Sequence, residues 1–348
     1  MASRLALALA AAVAATTLDA PLVWPPPRSA ATAGEAFTFT LPPDGLTLDA
    51  DSGAGCVASP RLRTALRRAT AHLALHAVVP PRAHEAARYA AVAASVSASA
   101  AVAPLAVVAP VVVAVADDCA SGAVPPTAAT DYSHSLRVAR SHDGAAVRIT
   151  VIAADVHGAL AALQSLTQLP RRVGETLALA AAAVALDDAP AYAWRGLMLD
   201  IGRRFFPVSV VQGILQVMAA NKLSVLHAHL SDNCRFAVQS QRYPNLTAAL
   251  TGVLAGYYSQ GDVAAIIAYA ADLGIRVVPE FDVPGHSTGF SPLTPLGAQF
   301  CTTGPLPFQL YNDPGNATYP LIASALTEMA GLFTDDVFHI GCDETAVT

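Results

Sequence analysis

Residues 262–286, DVAAIIAYAADLGIRVVPEFDVPGH, contain one complete unit of an α/β fold. The apolar side chains of Asp262–Leu273 have helical spacing, and Gly274 follows at the position where a left-handed residue commonly ends a helix. Ile275–Phe281 is a short apolar run, typical of a buried strand, and it leads into the polar stretch Asp282–His286. The sequence therefore predicts a helix, a strand and a polar loop at the strand's carboxyl end.

The same order extends on both sides of this unit. Strands are predicted at Gly196–Ile201, Leu223–Leu230 and Val337–Ile340, and helices at Val208–Asn221 and Tyr319–Leu332. The resulting βαβαβαβ pattern indicates parallel strands joined by crossover helices, with polar residues after every strand. Catalytic groups gather at that edge in (β/α)8 barrels and in open α/β sheets alike.

The first half of the chain has a different pattern. Ser135–Val138 and Val147–Ile152 predict a hairpin, because the polar turn Ser141–Gly144 separates two strand-like runs. A helix is predicted at His157–Leu169, ended by Pro170. Strand, hairpin and helix together predict a small α+β domain.

Composition and the amino terminus limit the function classes. A net charge of −6 excludes a basic nucleic-acid binder, and 54% hydrophobic residues exclude a disordered chain. The apolar N-terminus predicts a signal peptide over residues 1–19, and the sequons at Asn245 and Asn316 agree with a secreted glycoprotein. The uncharged stretch 91–116 contains prolines and a Val-rich run, Val111–Val115, that is typical of a buried strand, so no membrane span is expected.

The predicted organisation has three parts. Residues 1–19 are the signal peptide, residues 20–190 the α+β domain, and residues 191–348 the parallel α/β domain. Asp187–Pro190 is predicted to be the linker between the two domains.

Ionisable side chains follow all four predicted strands of the second half, which favours a functional site over four separate helix caps. They are Asp200 and Arg203; His227, His229 and Asp232; Glu280, Asp282 and His286; and Asp343 and Glu344.

Two kinds of chemistry fit these residues. His227 and His229, two residues apart on a strand, point to one face and could hold zinc together with a later carboxylate. Alternatively, Asp343 and Glu344 could divide acid and base roles, as glycoside hydrolysis requires. Adjacent strand residues point in opposite directions, so both carboxylates reach one pocket only if the backbone turns, which Gly341 allows.

Four motifs, in order, resemble the β-N-acetylhexosaminidases of glycoside hydrolase family 20. They are Arg195–Arg203 (RGLMLDIGR), Asn221–Asp232 (NKLSVLHAHLSD), Gly274–His286 (GIRVVPEFDVPGH) and His339–Glu344 (HIGCDE). The first half is similar to the N-terminal domain of eukaryotic members, through Val23-Trp-Pro, Tyr132-Ser-His-Ser-Leu and the helix 158–169. The resemblance therefore implies an α+β domain followed by a (β/α)8 barrel.

The resemblance implies a retaining, substrate-assisted reaction on terminal non-reducing N-acetylhexosamine residues. Glu344 matches the general acid/base, and Asp343 matches the carboxylate that orients the substrate's 2-acetamido group. Arg203 matches a residue that holds sugar hydroxyls, whereas Asp232 and His286 match the polar network around the acid.

Further expectations follow from the same resemblance. His229 and Asp282 become site-lining residues, no metal or cofactor is implied, and Cys56 and Cys119 match a disulfide pair. The expected substrates are N-acetylhexosamine-containing glycans or glycoconjugates. The expected location is the secretory pathway, in a lysosome, vacuole or extracellular space, with a homodimer for a full-length protein.

The second domain is too short for a complete (β/α)8 barrel, which argues against full hydrolytic activity. A (β/α)8 barrel needs about 250 residues, whereas 155 residues run from Trp194 to Thr348 and hold about four predicted strands. We therefore expect the first half of a barrel, truncated after the Asp-Glu motif and impaired in hydrolysis. The alternative is a non-catalytic carbohydrate-binding relative, favoured by Ala228 and Cys342 where the family usually has Trp and Gly.

Overall fold

The computed structural model describes residues 23, 26–34, 37–49, 59–75, 106–116, 125–173, 176–179, 181–248, 250–301, 309–311 and 314–345. The chain divides into two compact units, one from residues 1–124 and 130–192 and the other from 125–129 and 193–348. The predicted signal peptide and the cysteines Cys56 and Cys119 lie outside the described residues.

Among the residues that the structure describes, the first unit contains a nine-stranded mixed sheet and two helices. The strands are β1 (Ser29–Ala33), β2 (Phe37–Thr40), β3 (Ala106–Val108), β4 (Val112–Val115), β5 (His134–Arg140), β6 (Ala146–Ala153), β7 (Arg171–Val173), β8 (Thr176–Leu179) and β9 (Ala183–Asp188). Their spatial order is β1-β9-β5-β6-β3-β2-β8-β7. Strand β4 lies outside this order and pairs with the C-terminal part of β6. Helices α1 (Pro60–Leu75) and α2 (Val156–Gln168) pack against each other.

The local predictions for the first unit are confirmed. β5 and β6 form the antiparallel hairpin, and alternate side chains of both strands are buried, as the period of two requires. Helix α2 begins where the side chain of Asp155 accepts the backbone N–H groups of His157 and Gly158.

The predicted linker is wrong at its first two residues. Asp187 and Asp188 are the last residues of β9 and pair with Ser135 and His134 of β5. The Ser135 hydroxyl donates to the Asp187 carboxylate at 2.6 Å, so a side chain of the neighbouring strand accommodates this acidic residue at the end of β9.

The second unit alternates strands and helices. Its strands are β10 (Gly196–Asp200), β11 (Val225–Ser231), β12 (Arg276–Phe281), β13 (Gln299–Phe300) and β14 (Leu310–Tyr311). Its helices are α3 (Val208–Ala220), the single turn α4 (Asn245–Ala248), α5 (Gln260–Ala271) and α6 (Thr318–Ala330), with 3-10 segments at Gly252–Leu254 and Thr288–Leu296.

Strands β10, β11 and β12 are parallel and adjacent in that order, joined by crossovers that contain α3 and α5. Helix α5 begins with a capping box between Ser259 and Asp262. Its last residue is Ala271, and the chain turns away at the left-handed Gly274 (φ 75°), after which the Ile275 N–H donates to the Ala270 carbonyl. The βαβαβ part of the prediction is therefore confirmed.

The fourth predicted strand, Val337–Ile340, is reduced to a single parallel bridge between His339 and Glu280. The His339 N–H donates to the Pro279 carbonyl, and the His339 carbonyl accepts from Phe281. Continuing the ladder toward Val337 would require an N–H from Pro279, which proline lacks. The Val337 N–H instead donates to the side chain of Asp335.

The core of the second unit lies between the sheet and its helices. Its largest fully buried side chains include Phe236, Tyr258, Phe281 and Phe290, and the Phe236 ring contacts those of Phe281 and Phe290 at centroid distances of 5.0 and 5.1 Å. In the described part of the chain, no helix combines the length and apolar character that a membrane crossing requires.

Candidate active site

One register row crosses the sheet of the second unit near its carboxyl edge. Asp200 pairs with His229, His229 with Glu280, and Glu280 with His339. Residues in register on parallel strands lie on the same face of a sheet, so the row brings two carboxylates and two imidazoles together. The loops that follow these strands carry the remaining predicted site residues.

Arg203 and Asp232 form an ion pair at this edge. Arg203 Nη1 lies 2.7 Å from Asp200 Oδ2, and Arg203 Nη2 lies 2.9 Å from Asp232 Oδ2. The hydrogen bond to Asp200 raises the pKa of Arg203 most, with a further contribution from the charge of Asp232. The guanidinium remains half-exposed, so it can contact a ligand while both carboxylates orient it.

The backbone turns sharply before the predicted carboxylate pair. Gly341 (φ 69°), Cys342 (φ 75°) and Glu344 (φ 49°) all adopt left-handed conformations. A Cβ atom at position 341 would overlap the Asp282 carboxylate, so this close approach requires glycine. The turn predicted at Gly341 is present, and it redirects the residues on either side of Cys342.

Both carboxylates converge on one imidazole. His286 Nε2 lies 3.1 Å from Glu344 Oε2 and 3.6 Å from Asp343 Oδ2. On the other side of the ring, His286 Nδ1 lies 3.4 Å from Arg203 Nη2 and 3.8 Å from Asp232 Oδ1. The five residues to which the sequence assigned catalytic and substrate-binding roles therefore form one cluster.

Asp282 lies buried beside the turn. Its backbone N–H donates to Ser231 Oγ at 3.0 Å, and its Oδ1 accepts the Cys342 N–H at 3.2 Å. Burial, followed by the negative charge of Asp343, raises the pKa of Asp282 to about 6. Asp282 thus lines the inner side of the carboxylate pair.

His229 lies between two buried carboxylates. Its Nε2 is hydrogen-bonded to Asp232 Oδ2 at 2.9 Å, and its Nδ1 lies 2.9 Å from Glu280 Oε2. Burial opposes protonation, but pairing with Asp232 and Glu280 prevails and raises the pKa of His229 to about 10. Burial would raise the pKa of each carboxyl group, but ion pairing holds both below their ordinary values.

The alternative zinc site on His227 and His229 does not fit this geometry, because both nitrogens of His229 already face carboxylates. His227, Glu280 and His339 place potential ligand atoms within 4.8 Å, as do two sets that contain Asp282. However, His339 Nδ1 accepts the Gly341 N–H at 3.0 Å, so its lone pair is engaged.

Several predicted residues lie elsewhere. Asn245 and Asn316 are both exposed outside the cluster, at the start of α4 and before α6. The sequence analysis assigned no role to His339, although its Nδ1 lies 3.1 Å from Glu280 Oε1. Its register with Glu280 was the available signal, but register between distant strands is not visible in a single sequence.

Comparisons with known proteins agree with this architecture. The catalytic-domain model of glycosyl hydrolase family 20 matches residues 192–348. Beta-hexosaminidase subunit A2 of Dictyostelium discoideum is 40% identical over 163 residues, which cover 46% of this chain and 29% of that protein. Beta-N-acetylhexosaminidase of Cellulomonas fimi is 35% identical over 208 residues, covering 57% and 42% respectively. The chain thus matches less than half the length of these relatives.

A solved structure shares the fold. The chitobiase of Flavobacterium johnsoniae superposes with a TM-score of 0.63 at 24% identity, over 92% of this chain and 44% of that one. The predicted fold class, an α+β unit followed by a partial α/β barrel, is confirmed. Residues 192–348, which form most of the second unit, are thus similar to the catalytic domain of glycosyl hydrolase family 20.

Proposed function

We propose that this chain carries the acid–base apparatus of a glycosidase that removes terminal non-reducing N-acetylhexosamine residues. The observation that supports this most directly is the convergence of Asp343 and Glu344 on His286, beside the Arg203–Asp232 pair. Two adjacent carboxylates and a half-exposed guanidinium at the carboxyl edge of a parallel sheet suit a sugar with an acetamido group.

In the proposed reaction, Glu344 protonates the glycosidic oxygen as the bond from that oxygen to the anomeric carbon breaks. The carbonyl oxygen of the substrate's own acetamido group attacks the anomeric carbon and forms an oxazolinium ion, while Asp343 orients that group. Water then attacks the anomeric carbon as the bond from that carbon to the acetamido oxygen breaks, which restores the acetamido group. Glu344 takes the proton of the attacking water, and the two displacements together retain the configuration. This route uses neither an enzyme nucleophile nor a cofactor.

Arg203 and His286 have supporting roles in this proposal. Arg203 holds sugar hydroxyls, and Asp200 and Asp232 orient its guanidinium. His286 Nε2 contacts Glu344 and so connects the acid to the buried carboxylate of Asp232.

The wider biological setting is also proposed. The substrates are N-acetylhexosamine-containing glycans or glycoconjugates, which agrees with the names of the matched relatives. The N-terminal apolar run and the exposed Asn245 and Asn316 support entry into the secretory pathway, with action in a lysosome, vacuole or extracellular space. We further propose a homodimer as the assembled form.

The direct test is release of p-nitrophenol from its N-acetyl-β-glucosaminide. Glu344→Gln should abolish turnover, and Asp343→Asn should reduce it strongly, because each removes one of the two carboxylates. Asp336→Asn is a matched control, since Asp336 is an exposed carboxylate on the preceding segment. Full retention of turnover in Glu344→Gln would refute the assignment.

A non-catalytic carbohydrate-binding role is the second candidate. The side chains of Asp343 and Glu344 are 64% and 67% exposed, whereas general acids are usually tuned by burial. Cys342 also adds a side chain within the left-handed turn. Calorimetric binding of N-acetylglucosamine without turnover, lost in Arg203→Ala, would favour this candidate.

A further inference from the structure

A chain of alternating carboxylates and imidazoles leads from the sheet to Glu344. Glu280 Oε2 lies 2.9 Å from His229 Nδ1, and His229 Nε2 is hydrogen-bonded to Asp232 Oδ2 at 2.9 Å. Asp232 Oδ1 lies 3.8 Å from His286 Nδ1, and His286 Nε2 lies 3.1 Å from Glu344 Oε2. The inner two members are anchored on β11 and β12, whereas the outer three lie on loops.

We propose that His229, held in place by Glu280, is a positioning residue that fixes the Asp232 carboxylate between Arg203 and His286. The inference rests on the proposed hydrolase function, because its consequence is the placement of the acid.

The contacts of Asp232 explain why His229 decides its orientation. Its Oδ2 contacts both His229 Nε2 and Arg203 Nη2 at 2.9 Å, and its Oδ1 accepts the Asn233 N–H. The Arg203 side chain is half-exposed and long, whereas His229 is a buried residue of a strand. His229 is therefore the rigid contact among the side chains that reach this carboxylate.

Because Asp232 is buried, loss of its hydrogen bond with His229 would destabilise the carboxylate. The Asp232 side chain is only 2% exposed, and a buried carboxylate without a partner is strongly destabilised. Loss of His229 would remove the strongest of the interactions that oppose the effect of burial on this carboxyl group, so its pKa should rise even though Arg203 and the Asn233 N–H remain in contact. Other charged or titratable groups also lie near the residues that contact His229 and Asp232. They are Asp200, His227, Cys234, Asp282, His339 and Asp343.

Two substitutions of His229 separate its two contacts. His229→Gln places an amide near the position of Nε2 and retains a donor for Asp232. His229→Asn places its amide near the position of Nδ1 and retains only the contact with Glu280. His227→Asn is the matched control, because His227 lies on the same strand and contacts Glu280 at 2.6 Å from its Nε2.

We expect His229→Asn to lower kcat for the p-nitrophenyl glycoside by roughly 10- to 100-fold, the scale of a misplaced catalytic group. The acidic limb of its kcat/KM profile should move to higher pH, since Asp232 must stay ionised to hold His286. His229→Gln should keep kcat within about 3-fold and leave the limb in place, and His227→Asn should do the same. Equal losses in all three variants, or wild-type behaviour in His229→Asn, would overturn the proposal.

A second readout does not depend on turnover. The carboxyl ¹³C resonance of Asp232, assigned by its absence in Asp232→Asn, reports ionisation directly. Its titration midpoint should be higher in His229→Asn than in the wild-type chain or in His229→Gln. Glu280→Gln should shift the midpoint in the same direction, which gives an independent test if His229→Asn does not fold.

These measurements distinguish the two proposals. A wild-type chain without turnover but with the expected ¹³C shifts would refute the hydrolase function and leave the role of His229 in fixing Asp232 intact. An unchanged midpoint in both His229→Asn and Glu280→Gln would overturn the positioning role, whatever the activity.

Discussion

Asp282→Asn should remove a pH-dependent loss of stability. The folded state raises the pKa of Asp282 from 3.8 to about 6, first through burial and then through the charge of Asp343. Between these values the folded chain retains a proton that the unfolded chain has lost, so stability falls as pH rises through this window. A difference of about two pKa units corresponds to about 3 kcal/mol.

This magnitude applies to a nearly fully buried side chain, because Asp282 is 1% exposed. Asparagine keeps an oxygen acceptor for the Cys342 N–H and cannot ionise. The variant should therefore be similar to the wild type near pH 4 and more stable by up to about 3 kcal/mol at pH 8. Asp343→Asn should reproduce part of this gain, because it removes the second cause.

The assay is urea unfolding at several values between pH 4 and 8, followed by both fluorescence and circular dichroism. The free-energy difference between variant and wild type isolates Asp282 from Asp232 and Glu280, whose lowered pKa values have the opposite effect on stability. Asp336→Asn, at an exposed carboxylate, is the control. A difference that stays constant from pH 4 to 8 would refute the assigned cause.

Three further predictions concern the left-handed turn at Gly341 and Cys342 and the amino-terminal cap of α5. Gly341→Ala should cost about 2 kcal/mol or more, from a left-handed alanine and overlap with Asp282, and an unchanged thermal midpoint would contradict this. Ser259→Ala should cost about 1 kcal/mol by removing the cap of α5, measured by chemical unfolding, and a gain in stability would exclude the capping role. Cys342→Gly should stabilise by about 0.5–1 kcal/mol through relief of its left-handed strain, and a lower thermal midpoint would show that its side chain contributes more than the strain costs.

Apolar periodicity in the sequence predicted the strands and helices well where one face of the element is buried. The hairpin of β5 and β6 and the parallel order of β10, β11 and β12 follow from apolar periodicity and turn residues. The order of the nine-stranded sheet could not be predicted, because β2 pairs with β3 and β8, far away in the sequence. Pairing of that kind depends on packing between segments and leaves no periodic signal in either strand.

The candidate site was predicted as a set of residues but not as a set of contacts. Placing polar residues after parallel strands identified Arg203, Asp232 and His286, since strand ends meet at one edge. The placement of His229 between Asp232 and Glu280 required the register of β11 against β12. The shortened fourth strand was missed, because the N–H that proline lacks is on the neighbouring strand.

The single bridge at His339 has a consequence for motion. Asp343 and Glu344 follow a segment whose backbone ladder to β12 consists of only a few hydrogen bonds among the described residues. Such a segment can open at a lower free energy than the sheet core and exchange its amide hydrogens sooner. Any sugar that requires both carboxylates would bind only the closed form, so its affinity would depend on how rarely this segment opens.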